Sequence, residues 1–209
     1  MYVGHLGFAL GAKGVRRTVP LWLLVLAAQA CDWGDVALLA IAPHLRESTY
    51  EMLSHSIPAV LVMAVAFALA YVIVRRDAMG AVVLGGVVIS HILADYLTGY
   101  KPTWPGGPMI GLQLYDHPRW DVALETVVIV IGWVIYLRSL PKERARLRTA
   151  WVMLGALVVL QLLAGAAFEY RLDGGRPSIV MHEGRVERWR PAGYVRGHPS
   201  GYSGAVAKW

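Results

Sequence analysis

His91 and Asp95 stand four residues apart in Ser90-His91-Ile92-Leu93-Ala94-Asp95, so on a helix they share one face and can reach a single cation. The run from Ala81 to Ile92 is otherwise apolar. Ionisable groups inside such a segment are costly to bury, and they usually face a protein interior where a partner or a metal compensates. A mutual His–Asp hydrogen bond is the plainer reading of the pair and stays open at this point. Further imidazoles and carboxylates lie in or beside other apolar stretches: His5, Asp32, Asp35, His55 and Glu125.

The elements that would have to carry these residues follow from composition. The chain of 209 residues is 56% hydrophobic and only 16% charged, with a mean hydropathy of +0.48, which places it in a bilayer rather than among soluble domains. The predicted fold is an all-α membrane protein. Full spans are read at Pro20–Ala42, Ile57–Val74, Met79–Thr98, Asp121–Leu137 and Ala150–Phe168, each near the roughly 20 residues that cross the hydrocarbon core. Tyr2–Ala12 is apolar but reaches only about 16 Å as a helix, so it is expected as a half-membrane element packed on other helices. No cleaved-signal pattern is read at the start, and Met1–Ala12 is expected to be retained. The Gly- and Pro-rich stretch from Gly99 to Arg119 is expected as an irregular rim. Residues 1–170 would form the helical domain and 171–209 a polar, basic tail, with a small hairpin from Ser178–Met181 and Arg185–Trp189 around Glu183-Gly184. The single cysteine, Cys31, permits no intrachain disulfide and reads as a small buried apolar residue.

A net charge of +6 does not point to nucleic acid, because the cations sit in short turns between apolar segments. Lys13, Arg16, Arg17, Arg75, Arg76, Arg138, Lys142, Arg144, Arg146 and Arg148 all fall on one side of the five spans, which is then the cytoplasmic side. The opposite loops carry Arg46, Lys101 and Arg119. The tail, with Arg171, Arg176, Arg185, Arg188, Arg190 and Arg196, falls outside by the same count.

Height above the basic turns brings the ionisable residues together. His5 and Asp32 each lie about 12 residues from a basic turn or helix start, or roughly 18 Å at 1.5 Å per residue, and Glu125 comes to roughly 20 Å. His91, Asp95 and His55 come to roughly 22 to 31 Å. Six groups from five elements thus converge in the outer half of the membrane, and Asp35 lies one turn beyond Asp32. Imidazole with carboxylate is the ligand set of zinc and other first-row divalent ions, and several carboxylates suit more than one ion. The predicted ligands are His5, Asp32, His55, His91 and Asp95. Asp35 and Glu125 are the candidates for a proton-accepting base or for groups that orient a ligand. His117 and Asp121 repeat the HxxxD spacing, but Pro118 follows the His and Asp121 reads as a helix cap.

Gly4-His5-Leu6, the Asp32/Asp35 pair, Ser54-His55-Ser56 and above all Ser90–Thr98 follow the order and local sequence of a known family. Over roughly the first 110 residues the chain resembles the YdjM-like inner-membrane proteins, regarded as membrane-bound metal-dependent hydrolases. The family's Pro-Asp-x-Asp is replaced here by Cys31-Asp32-Trp33-Gly34-Asp35, and its His-Arg-Gly before Thr-His-Ser by Tyr50-Glu51-Met52-Leu53. The order His, Asp, His, HxxxD is also similar to that of the zinc-dependent phospholipase C and P1 nuclease group, whose sites hold several zinc ions; this likeness is one of ligand order alone.

The resemblance implies a metal-dependent hydrolase in a bacterial-type inner membrane, and the depth of the residues near the outer headgroups makes a phosphoester of a lipid-like substrate, entering from the extracytoplasmic side, the expected target. Two other readings stay open on residues alone: a transporter of divalent cations or protons, and a non-catalytic membrane subunit of a complex.

Overall fold

In hydrocarbon a single apolar run can satisfy its own amides only as a helix, and a computed structural model of the chain has that character throughout. It describes residues 3–44, 53–145, 148–173, 179–182 and 185–188. In chain order the helices are α1 (His5–Val15), α2 (Leu21–Ala28), α3 (Ala30–Ile41), α4 (Ile57–Arg75), α5 (Ala78–Thr98), α6 (Pro118–Ser139), α7 (Lys142–Ala145) and α8 (Arg148–Asp173). Between α5 and α6 lie two short antiparallel strands, β1 (Lys101–Pro102) and β2 (Met109–Ile110). The protein is an all-α membrane protein, as its composition predicts.

Among the described residues four helices are long and apolar enough to cross a membrane: Ile57–Arg75, Ala78–Thr98, Pro118–Ser139 and the Ala150–Ala167 part of α8. The fifth expected span, Pro20–Ala42, is bent, and the count is five if the bent pair is one broken span. The pair is α2 and α3, meeting at 64°. The chemistry changes at the same place: α2 is Leu-Trp-Leu-Leu-Val-Leu-Ala-Ala without one polar group, whereas α3 carries Asp32 and Asp35. Gln29 at the junction leaves helical geometry (φ −107°, ψ 15°), and the turn carries the two acids to one side.

The chain divides into two compact units, Met1–Phe168 and Glu169–Trp209. In the second, β3 (Ile179–His182) pairs antiparallel with β4 (Arg185–Arg188), Val180 opposite Glu187. Residues 183–184, expected at the hairpin turn, and 189–209 lie outside the described residues.

Within the first unit α5 is central, packing on α1, α2, α3 and α4. Gly85 allows part of this: a methyl group there would lie 3.3 Å from the Ala64 carbonyl oxygen of α4. Gly86, in contrast, faces open space. The half-membrane element is α1, and its main partner is α6. Gly7, Gly11 and Gly14 form a small-residue stripe along it. A methyl group at Gly7 would overlap the Val128 carbonyl, and one at Gly14 would lie 2.7 Å from the Ile135 carbonyl oxygen. The two backbones touch, with Gly132 of α6 against Gly7. At its far side α6 meets α8, where the Trp133 indole donates to the Ala150 carbonyl at 3.2 Å and its ring stands edge-on to Trp151.

The basic-turn end is tied by one carboxylate. Asp77 caps α5 by accepting from the Gly80 amide at 2.9 Å, and it receives Arg16 Nη2 at 2.8 Å and the Thr18 hydroxyl at 3.1 Å from the α1–α2 turn. The Gly80 amide first, and Arg16 next, hold its carboxyl below the usual carboxylate value. At the other end the Gly99–His117 segment folds back on the helix ends. The Ile57 amide donates to the Thr103 carbonyl at 2.9 Å and Leu112 to the Tyr96 carbonyl at 2.9 Å.

Replacing Gly7 by Val forces α1 off α6, with an expected loss of about 1–3 kcal/mol. Gly86→Ala meets nothing and is expected to leave stability nearly unchanged. Thermal unfolding of the detergent-solubilised variants compares the two, and equal midpoints would contradict the close α1–α6 crossing.

Candidate metal centre

The six members of the cluster arrive on four pieces of chain. α5 presents His91 and Asp95 one turn apart, α3 presents Asp32 and Asp35 one turn apart, α1 presents His5 at its first residue, and His55 sits just before the Ser56 cap of α4. His5, His55 and His91 are each no more than 1% exposed, and Asp95 is 2% exposed. The side chains of Asp32 and Asp35 are 47% and 33% exposed, so among the described residues the cluster opens along α3.

Four ligand atoms face one another. His55 Nε2 lies 3.4 Å from His91 Nε2, 3.6 Å from Asp32 Oδ1 and 3.5 Å from Asp95 Oδ2. His91 Nε2 lies 3.8 Å from Asp32 Oδ1 and 3.5 Å from Asp95 Oδ2. Four ligands bonded tetrahedrally to zinc at 2.0–2.2 Å stand about 3.3–3.6 Å apart along each edge. Five of the six edges are given by these distances, and four of the five fall inside or at the limit of that range.

The surrounding groups fix which nitrogen points inward. His91 Nδ1 is 2.7 Å from the Ala28 carbonyl oxygen, which only accepts, so Nδ1 carries a proton and donates it. The Ser54 hydroxyl donates to Asp35 and lies 2.7 Å from His55 Nδ1. Its oxygen then accepts from His55 Nδ1–H, completing a His55–Ser54–Asp35 relay. With both Nδ1 atoms acting as donors, the two Nε2 atoms face each other, and each offers a lone pair when its ring is neutral. A cation between them is the simplest partner for two lone pairs at 3.4 Å.

His5 completes the cluster from above. Its ring stacks on His91 with centroids 3.8 Å apart and planes 14° from parallel. Its Nε2 stands 3.4 Å from Asp95 Oδ1, yet neither ring nitrogen makes a hydrogen bond. A buried polar atom left in that condition costs about 1–3 kcal/mol. Two groups of three donors thus share His91: His5, Asp32 and His91, and His55, His91 and Asp95. The residues present fit a divalent ion of the zinc type.

Of the seven residues expected at the site, Glu125 alone is taken up elsewhere. It is fully buried, and its Oε2 accepts the amides of Val3 at 3.0 Å and Gly4 at 2.8 Å. The carboxylate therefore caps the start of α1, next to His5. Asp121, read from sequence as a helix cap, is buried one turn before Glu125, while His117 is exposed. Neither belongs to the two donor groups. Sequence reasoning did not foresee the Ala28 carbonyl or the role of Ser54; only the adjacency of Ser54 to His55 hinted at the second. The spacing Gly7, Gly11, Gly14 was the available sign of the close α1–α6 contact.

Fold and cluster together define an integral membrane protein of α-helices with a histidine–aspartate cluster that could hold a metal ion. The chain belongs to the YdjM inner membrane protein family, whose model matches residues 2–168. It is an integral inner-membrane protein. Comparison with curated proteins and with solved structures finds no match.

In metal-free protein, His91 is expected to carry its proton on Nδ1, visible as a pyrrole-type ¹⁵N signal for that nitrogen. A neutral ring protonated at Nε2 would contradict the Ala28 contact.

Proposed function

We propose that this protein is a divalent-metal-dependent hydrolase acting on a phosphoester of a lipid-like substrate. The approach of His55 Nε2 and His91 Nε2 to each other and to the carboxylates of Asp32 and Asp95, all at 3.4–3.8 Å, is the observation that carries this reading. Zinc suits the imidazole and carboxylate donors. Asp95 turns its second oxygen to His5, and a second ion, if bound, would be held by His5 with Asp32 and His91.

A cation held there supplies Lewis acidity, polarising the phosphoryl oxygen and acidifying water. The rest falls to the chain. Asp35, one-third exposed and linked through Ser54 to His55, is the proposed proton acceptor at the open edge. Glu125, in this proposal, positions His5 by holding the start of α1. Ala28 and Ser54 engage the two Nδ1 atoms and so leave each Nε2 as the ligand atom. A lipid-like substrate is favoured because the open edge runs along α3, whose outward residues Trp33, Val36, Leu39 and Ile41 are apolar and exposed. The basic turns lie at the opposite ends of α4 and α5, which supports an extracytoplasmic site.

Purified full-length protein is expected to retain at least one equivalent of zinc by elemental analysis, with His55→Ala and His91→Ala each losing it. Wild-type protein without bound metal after exposure to zinc would end the proposal. Zinc retained with no turnover of phospholipid in mixed micelles or of a chromogenic phosphodiester, but with zinc flux in liposomes, would favour transport. Where turnover is present, Asp35→Asn is expected to keep the metal and lower kcat by about a hundredfold or more. Loss of metal along with activity would instead make Asp35 a ligand.

A further inference from the structure

The bundle carries a second feature about 10–16 Å along α5 from His91 and Asp95, on the side of the basic turns. A slot of about 560 Å³ runs between α2 and α4 over Leu84 of α5, lined by Trp22, Leu23, Ala66, Ala70 and Val74 and closed at one end by Arg75. Its volume is that of a small-molecule site. Ala66 and Ala70 make it deep, since each stops at one methyl group where neighbouring positions of α4 carry large side chains. From Ala66 to Arg75 it follows the helix for about 14 Å, the reach of a substantial part of an acyl chain.

Charge identifies the head of the occupant. Asp77 is the acid between Arg75 and α5, and Arg16, Thr18 and the Gly80 amide already engage it. Arg17, Arg75 and Arg76 are left with no acidic partner among the described residues, and all three are exposed. An apolar slot ending at unpaired guanidinium groups at membrane depth is the recognition chemistry of an amphiphile with an anionic phosphate head. We propose that this slot binds an anionic phospholipid of the leaflet next to the basic turns, its acyl chain against Ala66 and Ala70 and its phosphate on Arg75. A second copy of this chain has Glu143 as its one acid on this side besides the engaged Asp77 among the described residues, and so fits the slot less well than an amphiphile carrying its own anionic head. Zinc binding and hydrolysis are not needed for this site.

The test uses detergent-solubilised full-length protein titrated with phosphatidylglycerol, phosphatidylcholine or inorganic phosphate, read by thermal unfolding and by native mass spectrometry. Phosphatidylglycerol is expected to raise the unfolding midpoint and to saturate near one molecule per chain, with phosphatidylcholine and phosphate far weaker. Arg75→Gln, at an exposed position, is expected to weaken binding roughly fivefold, and Ala70→Trp to abolish it with helicity preserved. Arg138→Gln, a basic-loop change away from the slot, should bind as wild type does. The proposal is overturned if both lipids act alike, if phosphate alone reproduces the effect, or if Arg138→Gln weakens binding as much as Arg75→Gln. It is equally overturned if Arg75→Gln binds normally, or if Ala70→Trp changes oligomeric state while lipid binding persists. Should Ala70→Trp fail to fold, Arg75→Gln against Arg138→Gln decides alone.

Discussion

Imidazole nitrogens and carboxylate oxygens buried among membrane helices have no water to turn to, and each must find a partner or cost the fold its desolvation energy. Here His5, His55, His91 and Asp95 lie nearly free of solvent within one small space. The Nε2 atoms of His55 and His91 face each other at 3.4 Å while their Nδ1 atoms are engaged by Ser54 and Ala28. That arrangement is satisfied by a shared positive charge and by little else. The architecture of the first unit can be understood as what is needed to assemble it.

Two devices stand out. The break at Gln29 swings Asp32 and Asp35 away from the apolar axis of α2, and the Ala28 carbonyl at the end of that helix orients His91. A straight helix through Pro20–Ala42 would offer neither. The second device is the α1–α6 contact. Glycine at positions 7, 11 and 14 lets a helix of only 11 residues approach α6 backbone to backbone, and Glu125 accepts the amides just before His5. A short element that cannot cross the membrane is thereby held as firmly as one that does.

The two ends of the bundle differ in how charge is managed. At the cluster, carboxylates and imidazoles crowd together in a nearly closed space that opens along α3. At the basic turns, Asp77 is consumed by Arg16, Thr18 and Gly80, which leaves other arginines facing outward. The first arrangement suits a small cation with something brought to it; the second suits anionic groups in the surrounding lipid.

The sequence by itself determined the helical membrane class, four of the spans, and the residues His5, Asp32, Asp35, His55, His91 and Asp95 that the structure brings together. It did so because apolar run length is set by bilayer thickness, because HxxxD puts two ligands on one helical face, and because height above a basic turn follows from a fixed rise per residue. Only tertiary structure decided the bend between α2 and α3, the Ala28 and Ser54 contacts that orient the imidazoles, and the use of Glu125 as a cap for α1 instead of a member of the cluster. These depend on which way each helix is rotated and how closely two backbones approach. Depth along a helix is written in residue count, but rotation and approach are settled by side chains from other segments, so no local pattern could announce them.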